Sequence, residues 1–322
     1  DLKGIIVNVP SERKLLSIII PVYNEEENVK KTYDSVTSVM EDIKNKYDYE
    51  LLFTDNHSTD NTFEILRHLS QSDNHIRVLR FSKNFGYQRS ILTGYMHSKG
   101  DIAIQLDCDL QDPPDLIPTF IKQWELGYKV VYGIRKSRKE SWWINIARKS
   151  FYRIINFLSE DYLHNDVGDF QLIDRKVIDV LKEEKDNQPY IRGTIASIGF
   201  KQIGIPYDRN ARTKGKSKFS MGNMFSLAID GILNHSIIPL RIATFVGLFI
   251  SIITFILALI YFVGKLIYGP SWSAGFATTT ILILLSISLN TLFLGIIGEY
   301  LGRMYKHVKK RPLIIIEKMI NC

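Results

Sequence analysis

The segment Leu106-Asp107-Cys108-Asp109-Leu110-Gln111 stands where the apolar run DIAIQLD (101–107) stops, just before Asp112-Pro113-Pro114. Two carboxylates at i and i+2 leave a regular strand on the same face, so Asp107 and Asp109 are placed to approach one hard cation that bridges substrate phosphates. A second polar cluster, Pro21-Val22-Tyr23-Asn24-Glu25-Glu26, ends the run LLSIIIPVY (15–23). A third, Thr54-Asp55-Asn56-His57-Ser58-Thr59-Asp60, ends YELLFTD (49–55). Polar groups crowding the ends of neighbouring strands make a crevice for a nucleotide, with Asp55 suited to accept from a base N–H or a ribose hydroxyl. Ser58 or Thr59 alternatively caps the helix that follows, and both roles are compatible. No G-x-G-x-x-G follows the first strand and no G-x-x-x-x-G-K-[ST] occurs, which removes the main sequence support for dinucleotide enzymes and P-loop NTPases.

Such clusters act together only if a frame holds them. Strand-like runs at 15–23, 49–55, 76–82, 101–107 and 129–135 alternate with helical patterns from about 26 to 44, 59 to 69, 87 to 97 and after Pro113-Pro114. Continuous β-branched strands separated by helices predict an α/β domain with a mostly parallel sheet covered on both faces and ligands at the carboxyl ends of the strands. All three polar clusters fall at those ends.

The chain has 322 residues, 45% hydrophobic and 23% charged, enough for one catalytic-sized domain plus an additional part. Lysine and arginine exceed the acids by 41 to 34, a net charge of +7 that names no partner by itself, and no nucleic-acid partner is expected. Two cysteines, Cys108 and Cys322, make no disulfide framework and show no zinc spacing, consistent with a reducing, cytosol-facing location. Residues 1–14 have no apolar stretch, so no secretory signal is expected there.

Apolar residues accumulate after position 237. Residues 242–264 and 278–298 each run without a charge and are long enough to span a bilayer, which predicts a two-helix transmembrane hairpin with an extracytoplasmic link at 265–277. Arg209, Arg212, Lys214, Lys216 and Lys218 precede the first span, and Arg303, Lys306, Lys309, Lys310 and Arg311 follow the second. By the positive-inside rule the catalytic domain (15–218) and both termini face the cytosol at a cytoplasmic membrane. Residues 142–158 read as a basic amphipathic helix, either lying in the membrane interface or facing the core, and 219–241 as a juxtamembrane amphipathic segment. Residues 299–322 read as a basic cytoplasmic tail. Small residues at Gly295 and Gly298 permit helix association and a homo-oligomer.

Taken in order, PVYNEE, TDNHSTD, NFG (84–86), DCDLQDPP, GIR (133–135), VGDF (167–170) and RTKGKSKF (212–219) resemble the inverting GT-A glycosyltransferases of family 2. With PLR before the first span, YGPSW in the link and GEYLGR after the second, the likeness is to the polyisoprenyl-phosphate glycosyltransferases, the group of the bactoprenol glucosyltransferases and dolichol-phosphate mannose synthases. It covers residues 15 to 312, roughly. It implies a GT-A, Rossmann-like domain in which Pro21, Tyr23, Glu25, Asp55 and Asp107 line the nucleotide pocket. Asp107, Asp109 and Gln111 would surround Mg²⁺ or Mn²⁺ and the donor diphosphate, with Asp109 the first choice as direct ligand. Arg135 would lie near the diphosphate, and Arg212, Ser217 and Lys218 would hold the phosphate of the lipid acceptor. Asp169 occupies the position of the family's candidate base, and a positioning role is open to it as well. The chain departs from the family at Asn56 and His57, where Asp-Gly is usual, and at Cys108, where alanine is usual, which leaves the base identity open.

The implied reaction transfers one hexose from a nucleotide sugar, UDP-glucose first, to polyprenyl (undecaprenyl) phosphate at the bilayer. GDP-mannose, a UDP-aminosugar donor, or a non-catalytic membrane scaffold are the alternatives. A phosphate monoester has its second pKa near 6, so the acceptor is already an anion at pH 7 and needs a base less than a hydroxyl does. Two anions then have to meet, and Arg212 and Lys218, just upstream of the first span, are suited to offset their repulsion. No tryptophan lies in a Q-x-x-R-W motif, which argues against a processive polysaccharide synthase.

Overall fold

The computed structural model describes residues 13–135, 167–183, 191–209, 238–269, 275–309 and 312–322. Eight strands form one sheet: β1 (Lys14–Val22), β2 (Tyr47–Asp55), β3 (Ile76–Phe81), β4 (Ile102–Gln105), β5 (Val130–Arg135), β6 (Val167–Asp174), β7 (Gln202–Tyr207) and β8 (Ile316–Ile320). Their order is β7-β5-β6-β4-β1-β2-β3-β8. Parallel pairing joins β1 to β2 and β4, β2 to β3, and β5 to β7, while β6 and β8 run against their neighbours. The predicted mostly parallel α/β architecture is present.

The side-chain alternation of β1 shows why the sheet is covered twice. Leu16, Ile18, Ile20 and Val22 enter one apolar layer and Ile19 the other, and all are buried. The helices in chain order are α1 (Val29–Ile43), α2 (Thr62–Ser72), α3 (Tyr87–His97), α4 (Ile117–Glu125), α5 (Arg175–Glu183) and α6 (Ile191–Ser197). Val36 and Met40 of α1, Leu66 of α2 and Phe120 of α4 build the first layer. Ile91 and Tyr95 of α3, Ile178 of α5 and Ile195 of α6 build the second. Each is spaced at helical period along its element, so one stripe of every helix is removed from water.

One buried polar knot holds the sheet end remote from the polar loops. Glu50 pairs with Arg77 at 2.5 Å, both nearly buried, and its other oxygen accepts from Ser17 Oγ at 2.5 Å and from the Lys99 backbone N–H at 2.7 Å. A buried charge with that many donors is tolerated, whereas a half-satisfied one is not.

The second compact unit contains α7 (Ile238–Tyr268) and α8 (Phe276–Val308), of 31 and 33 residues. Both exceed the ~20 residues that cross a hydrocarbon layer of about 30 Å. Both are long and apolar enough to cross a membrane, and Phe245, Phe249, Phe255, Leu266, Ile287 and Leu294 are exposed rather than packed within the chain. The two helices touch near Gly247, where a Cβ would lie 3.6 Å from the Phe293 ring. The expected spans 242–264 and 278–298 fall inside them.

The stretch 299–322, which its basic residues marked as a tail, carries regular structure instead. Its first part continues α8 to Val308, and Ile316–Ile320 adds β8 to the free edge of β3. Ile314 and Ile316 pack on Leu52, Leu79 and Phe81, which is why this segment returns to the sheet. The amphipathic helix expected at 142–158 and most of the juxtamembrane segment 219–241 lie outside the described residues.

Asp174, at the end of β6, accepts from Trp124 Nε1 at 2.6 Å and Lys129 Nζ at 2.7 Å. Burial works to raise its carboxyl, yet these bonds and the Lys129 charge hold it below the usual range. Its contribution to stability is therefore full above the unfolded carboxylate pKa and lost as pH falls through the lower native value. Asp174→Ala is expected to lower the unfolding free energy by about 2 kcal/mol at pH 7, a difference that denaturation melts should show shrinking below pH 4, roughly, where the wild-type carboxylate also takes up a proton.

Candidate active site

Three adjacent parallel strands end in the same unusual way. Asn24 after β1 (φ 54°), His57 after β2 (φ 63°) and Leu110 after β4 (φ 55°) are all left-handed and none is glycine. Each such residue costs about 1 kcal/mol or more and persists only where surrounding contacts hold it. The contacts are visible. Asn24 N–H donates to Ser58 Oγ at 3.0 Å, Thr59 N–H to Asn24 Oδ1 at 2.8 Å, Glu25 N–H to Thr62 Oγ1 at 2.8 Å and Asn61 N–H to Glu26 Oε2 at 3.0 Å. The loops after β1 and β2 are thereby zipped together, bringing Pro21, Tyr23, Glu25 and Asp55 to one rim. Neither Ser58 nor Thr59 caps α2: Asn61 holds the N-cap position, and Asp60 Oδ1 accepts the Thr62 N–H at 3.0 Å.

Asp55 is fully buried at the floor of this rim. Oδ1 accepts the Ser58 N–H at 2.9 Å and Oδ2 faces Arg80 at 3.3 Å, an ion pair between neighbours opposite each other on β2 and β3. A carboxylate has about four lone-pair sites, so two acceptor positions remain beyond these bonds.

The acid pair follows β4. Gln105 Nε2 donates to Asp107 Oδ1 at 2.9 Å, and Tyr87 Oη donates to the same oxygen. Asp109 Oδ1 accepts the Gln111 N–H at 3.1 Å. Burial, with the nearby charges of Asp112, Asp169 and Asp109, pushes the Asp107 carboxyl up to about 6. Such an excess of negative charge favours a cation. Among the described residues no group of three His, Cys, Asp or Glu side chains is arranged to cage one. Two hard oxygen donors without a closed cage fit Mg²⁺ or Mn²⁺, which take one or two carboxylates and fill the remaining positions with water and phosphate oxygens. Cys108 between them is buried among apolar side chains, and its carbonyl accepts from Thr32 Oγ1 of α1 at 2.8 Å, so this small residue pins the loop to the core.

Two residues that sequence reasoning did not single out organise the cationic side. Asp112, 1% exposed, accepts from Tyr207 Oη at 2.5 Å and faces Arg209 Nε at 3.3 Å and Arg135 at 3.6 Å. One buried carboxylate thus gathers guanidinium groups from the ends of β5 and β7. Gly133 makes the approach feasible, because a Cβ there would stand 2.6 Å from the Tyr207 ring. Arg192 of α6 meets Asp169 with two bonds, Nε to Oδ1 at 2.6 Å and a terminal nitrogen to Oδ2 at 2.5 Å. Burial works to raise the Asp169 carboxyl, but the Arg192 charge and its bonds hold it below the usual range. A carboxylate so held is a weak proton acceptor, the opposite of a base tuned toward neutrality. Asp107, Asp109, Gln111, Arg135 and Asp169 therefore converge at the strand ends where Asp55 also lies. Arg212, Ser217 and Lys218 lie outside the described residues.

The glycosyl transferase family 2 model matches residues 17–181. YkcC of Bacillus subtilis, named an uncharacterized glycosyltransferase, is 39% identical over 303 residues, 94% of this chain and 93% of that one. The putative glycosyltransferase CsbB of Bacillus subtilis is 35% identical over 304 residues, 94% and 92% of the two chains. The bactoprenol glucosyl transferase of Shigella phage SfII is 33% identical over 306 residues, covering 94% of this chain and 97% of its own.

Removing Arg192 isolates a buried charge. Arg192→Met is expected to lower the unfolding free energy by about 2 kcal/mol at pH 8, less than for a fully buried pair because the arginine is partly exposed. At pH 5 the loss should be smaller, since Asp169, deprived of its main countercharge, then takes up a proton more readily; thermal melts at the two pH values read the difference.

Proposed function

The chain belongs to glycosyl transferase family 2, and from that premise we propose that it transfers a single hexose, glucose from UDP-glucose, to a polyprenyl phosphate at the cytoplasmic face of a membrane, with inversion at the anomeric carbon. The observation that carries this reading is the convergence of Asp107 and Asp109 with the Asp112-anchored guanidinium groups of Arg135 and Arg209 at one edge of the sheet. Acids for a cation and arginines for phosphate side by side are what a departing nucleoside diphosphate requires. The named bactoprenol glucosyl transferase supports the acceptor and the sugar, because its likeness extends over 94% of this chain and so takes in the two apolar helices.

Asp109 and Asp107 would hold Mg²⁺ or Mn²⁺, with Gln111 beside them. Bound there, the ion neutralises charge on the donor diphosphate. The remaining roles belong to the chain. Pro21, Tyr23, Glu25 and Asp55 receive the nucleoside, and Arg135, turned by Asp112 and Tyr207, meets the diphosphate. Arg212, Ser217 and Lys218 hold the acceptor phosphate, whose oxygen attacks opposite the leaving group. That oxygen is already anionic near neutrality, so no strong base is required. Asp169 then acts by holding Arg192 against the site.

Placement of the sheet unit in the cytosol is supported by the basic residues flanking both helices. Connectivity supports both ends of the helix pair lying on one side, because the chain leaves the sheet unit before α7 and rejoins it after α8. Both ends of the helix pair are thus tied to one folded body.

The test is release of nucleoside diphosphate by full-length protein in detergent, with Mg²⁺ or Mn²⁺ and a panel of UDP- and GDP-sugars, with and without a short polyprenyl phosphate. Lipid-dependent release from UDP-glucose is expected; release independent of lipid, or from none of the donors, would overturn the reading. Asp109→Ala should lower turnover by about two to three orders of magnitude while leaving the fold intact. Lys218→Ala should raise KM for the lipid phosphate by about tenfold, with KM for the nucleotide sugar changed far less.

A further inference from the structure

The strand that follows the helix pair reaches into the nucleotide rim. On β8, Ile320, Met319 and Lys318 stand opposite Val78, Leu79 and Arg80 in turn, but Phe81 is paired with Ile316. Glu317 is therefore the extra residue of a bulge, a device that re-aims a side chain at the edge of a sheet. Its Oε2 lies 3.7 Å from Arg80 Nε and 3.8 Å from His57 Nδ1. Arg80 in turn lies over the Phe63 ring at 4.2 Å, donates to the Ser58 carbonyl at 3.4 Å and faces Asp55 Oδ2 at 3.3 Å. His57 Nδ1 also donates to the Phe81 carbonyl at 3.0 Å. The far end of β8 is fastened by Asn321, whose Nδ2 donates to the carbonyls of Ser70 and Ile76, both at 3.0 Å. Glu317 is thus held in place by main-chain pairing on one side and by Asn321 on the other.

The separation between Arg80 and Asp55 carries the argument. A guanidinium free to close on a buried carboxylate does so at about 2.7–2.9 Å. Here Arg80 is shared between two carboxylates, at 3.3 Å from Asp55 and 3.7 Å from Glu317. We infer that Glu317 is a positioning residue of the nucleotide site: it draws Arg80 toward β8 and so leaves acceptor capacity on Asp55 for the base and ribose of a nucleoside diphosphate. The inference rests on the reading that Asp55 lines the nucleotide pocket. It makes the C-terminal strand, rather than the N-terminal sheet alone, a determinant of donor binding.

Full-length protein in detergent supplies the test, with UDP and GDP as the probes in calorimetric titrations and with KM and kcat measured separately for UDP-glucose and polyprenyl phosphate. Glu317→Gln should raise the Kd for UDP and the KM for the nucleotide sugar together by about three- to fivefold, the scale of a part-exposed ion pair. kcat, the KM for the lipid and the melting temperature should stay close to wild type, and Glu317→Asp should recover most of the loss. Lys318→Gln, one residue along the strand, should bind UDP as wild type does. Unchanged UDP binding by a Glu317→Gln protein whose wild type binds UDP would overturn this inference alone. A joint fall of kcat and melting temperature, or an equal effect of Lys318→Gln, would overturn it in favour of general support by the strand. Wild-type protein that binds neither nucleoside diphosphate would overturn the functional reading and this inference with it.

Discussion

Asp107, Asp109, Asp112 and Asp169 meet at the strand ends of a sheet whose interior is apolar on both faces, and their mutual repulsion is the constraint around which the site is built. Each carboxylate there has to be met by something. Asp112 is met by Tyr207, Arg209 and Arg135, and Asp169 by both ends of the Arg192 fork. Asp107 receives hydroxyl and amide donors but, among the described residues, no cation, and burial with the neighbouring carboxylates pushes its carboxyl upward. The arrangement is asymmetric in a useful way. Asp112 and Asp169 are neutralised internally, and the charge of Asp107 is left for the divalent ion and diphosphate that the proposed reaction brings.

The apolar layers make that concentration of charge affordable in one place and impossible elsewhere. Ile18, Ile19 and Ile20 are buried alternately against helices on both sides, so β1 presents no polar surface until its end. The backbone then turns sharply at Asn24, His57 and Leu110. A rigid sheet holds those turns, and the turns aim the side chains.

Much of this is legible in the sequence because it is local. A run such as LLSIIIPVY ending in Tyr-Asn-Glu declares both a buried strand and its polar end, and the i, i+2 spacing of Asp107 and Asp109 states their common face without knowledge of any neighbour. Partnerships across long separations are not legible that way. Asp112 and Tyr207 are 95 residues apart, and Asp169 and Arg192 are brought together by the second apolar layer, which Ile191 and Ile195 of α6 share with Ile173 of β6, so neither pairing follows from spacing. The depressed carboxyl of Asp169 likewise depends on Arg192 and could not be separated beforehand from a base. β8 did leave a trace, since Ile314, Ile315 and Ile316 after Pro312 form a β-branched run. The preceding Lys309, Lys310 and Arg311 masked it, because a basic cluster beside an apolar helix has a sufficient explanation in the membrane interface.

The strand at that edge also fixes an order of assembly. β8 follows every other described element in the chain, and Asn321 bonds to Ser70 across 251 residues of sequence. Until it arrives, β3 presents a row of unpaired backbone groups next to Leu79 and Phe81, the kind of open edge on which other chains pair. Both apolar helices are synthesised before it, so the sheet is closed only after they have emerged. A chain interrupted after α8 therefore has every strand of the parallel core and yet an unfinished, adhesive border. A quality-control system that recognises open sheet edges would therefore distinguish a chain that carries β8 from one that stops before it.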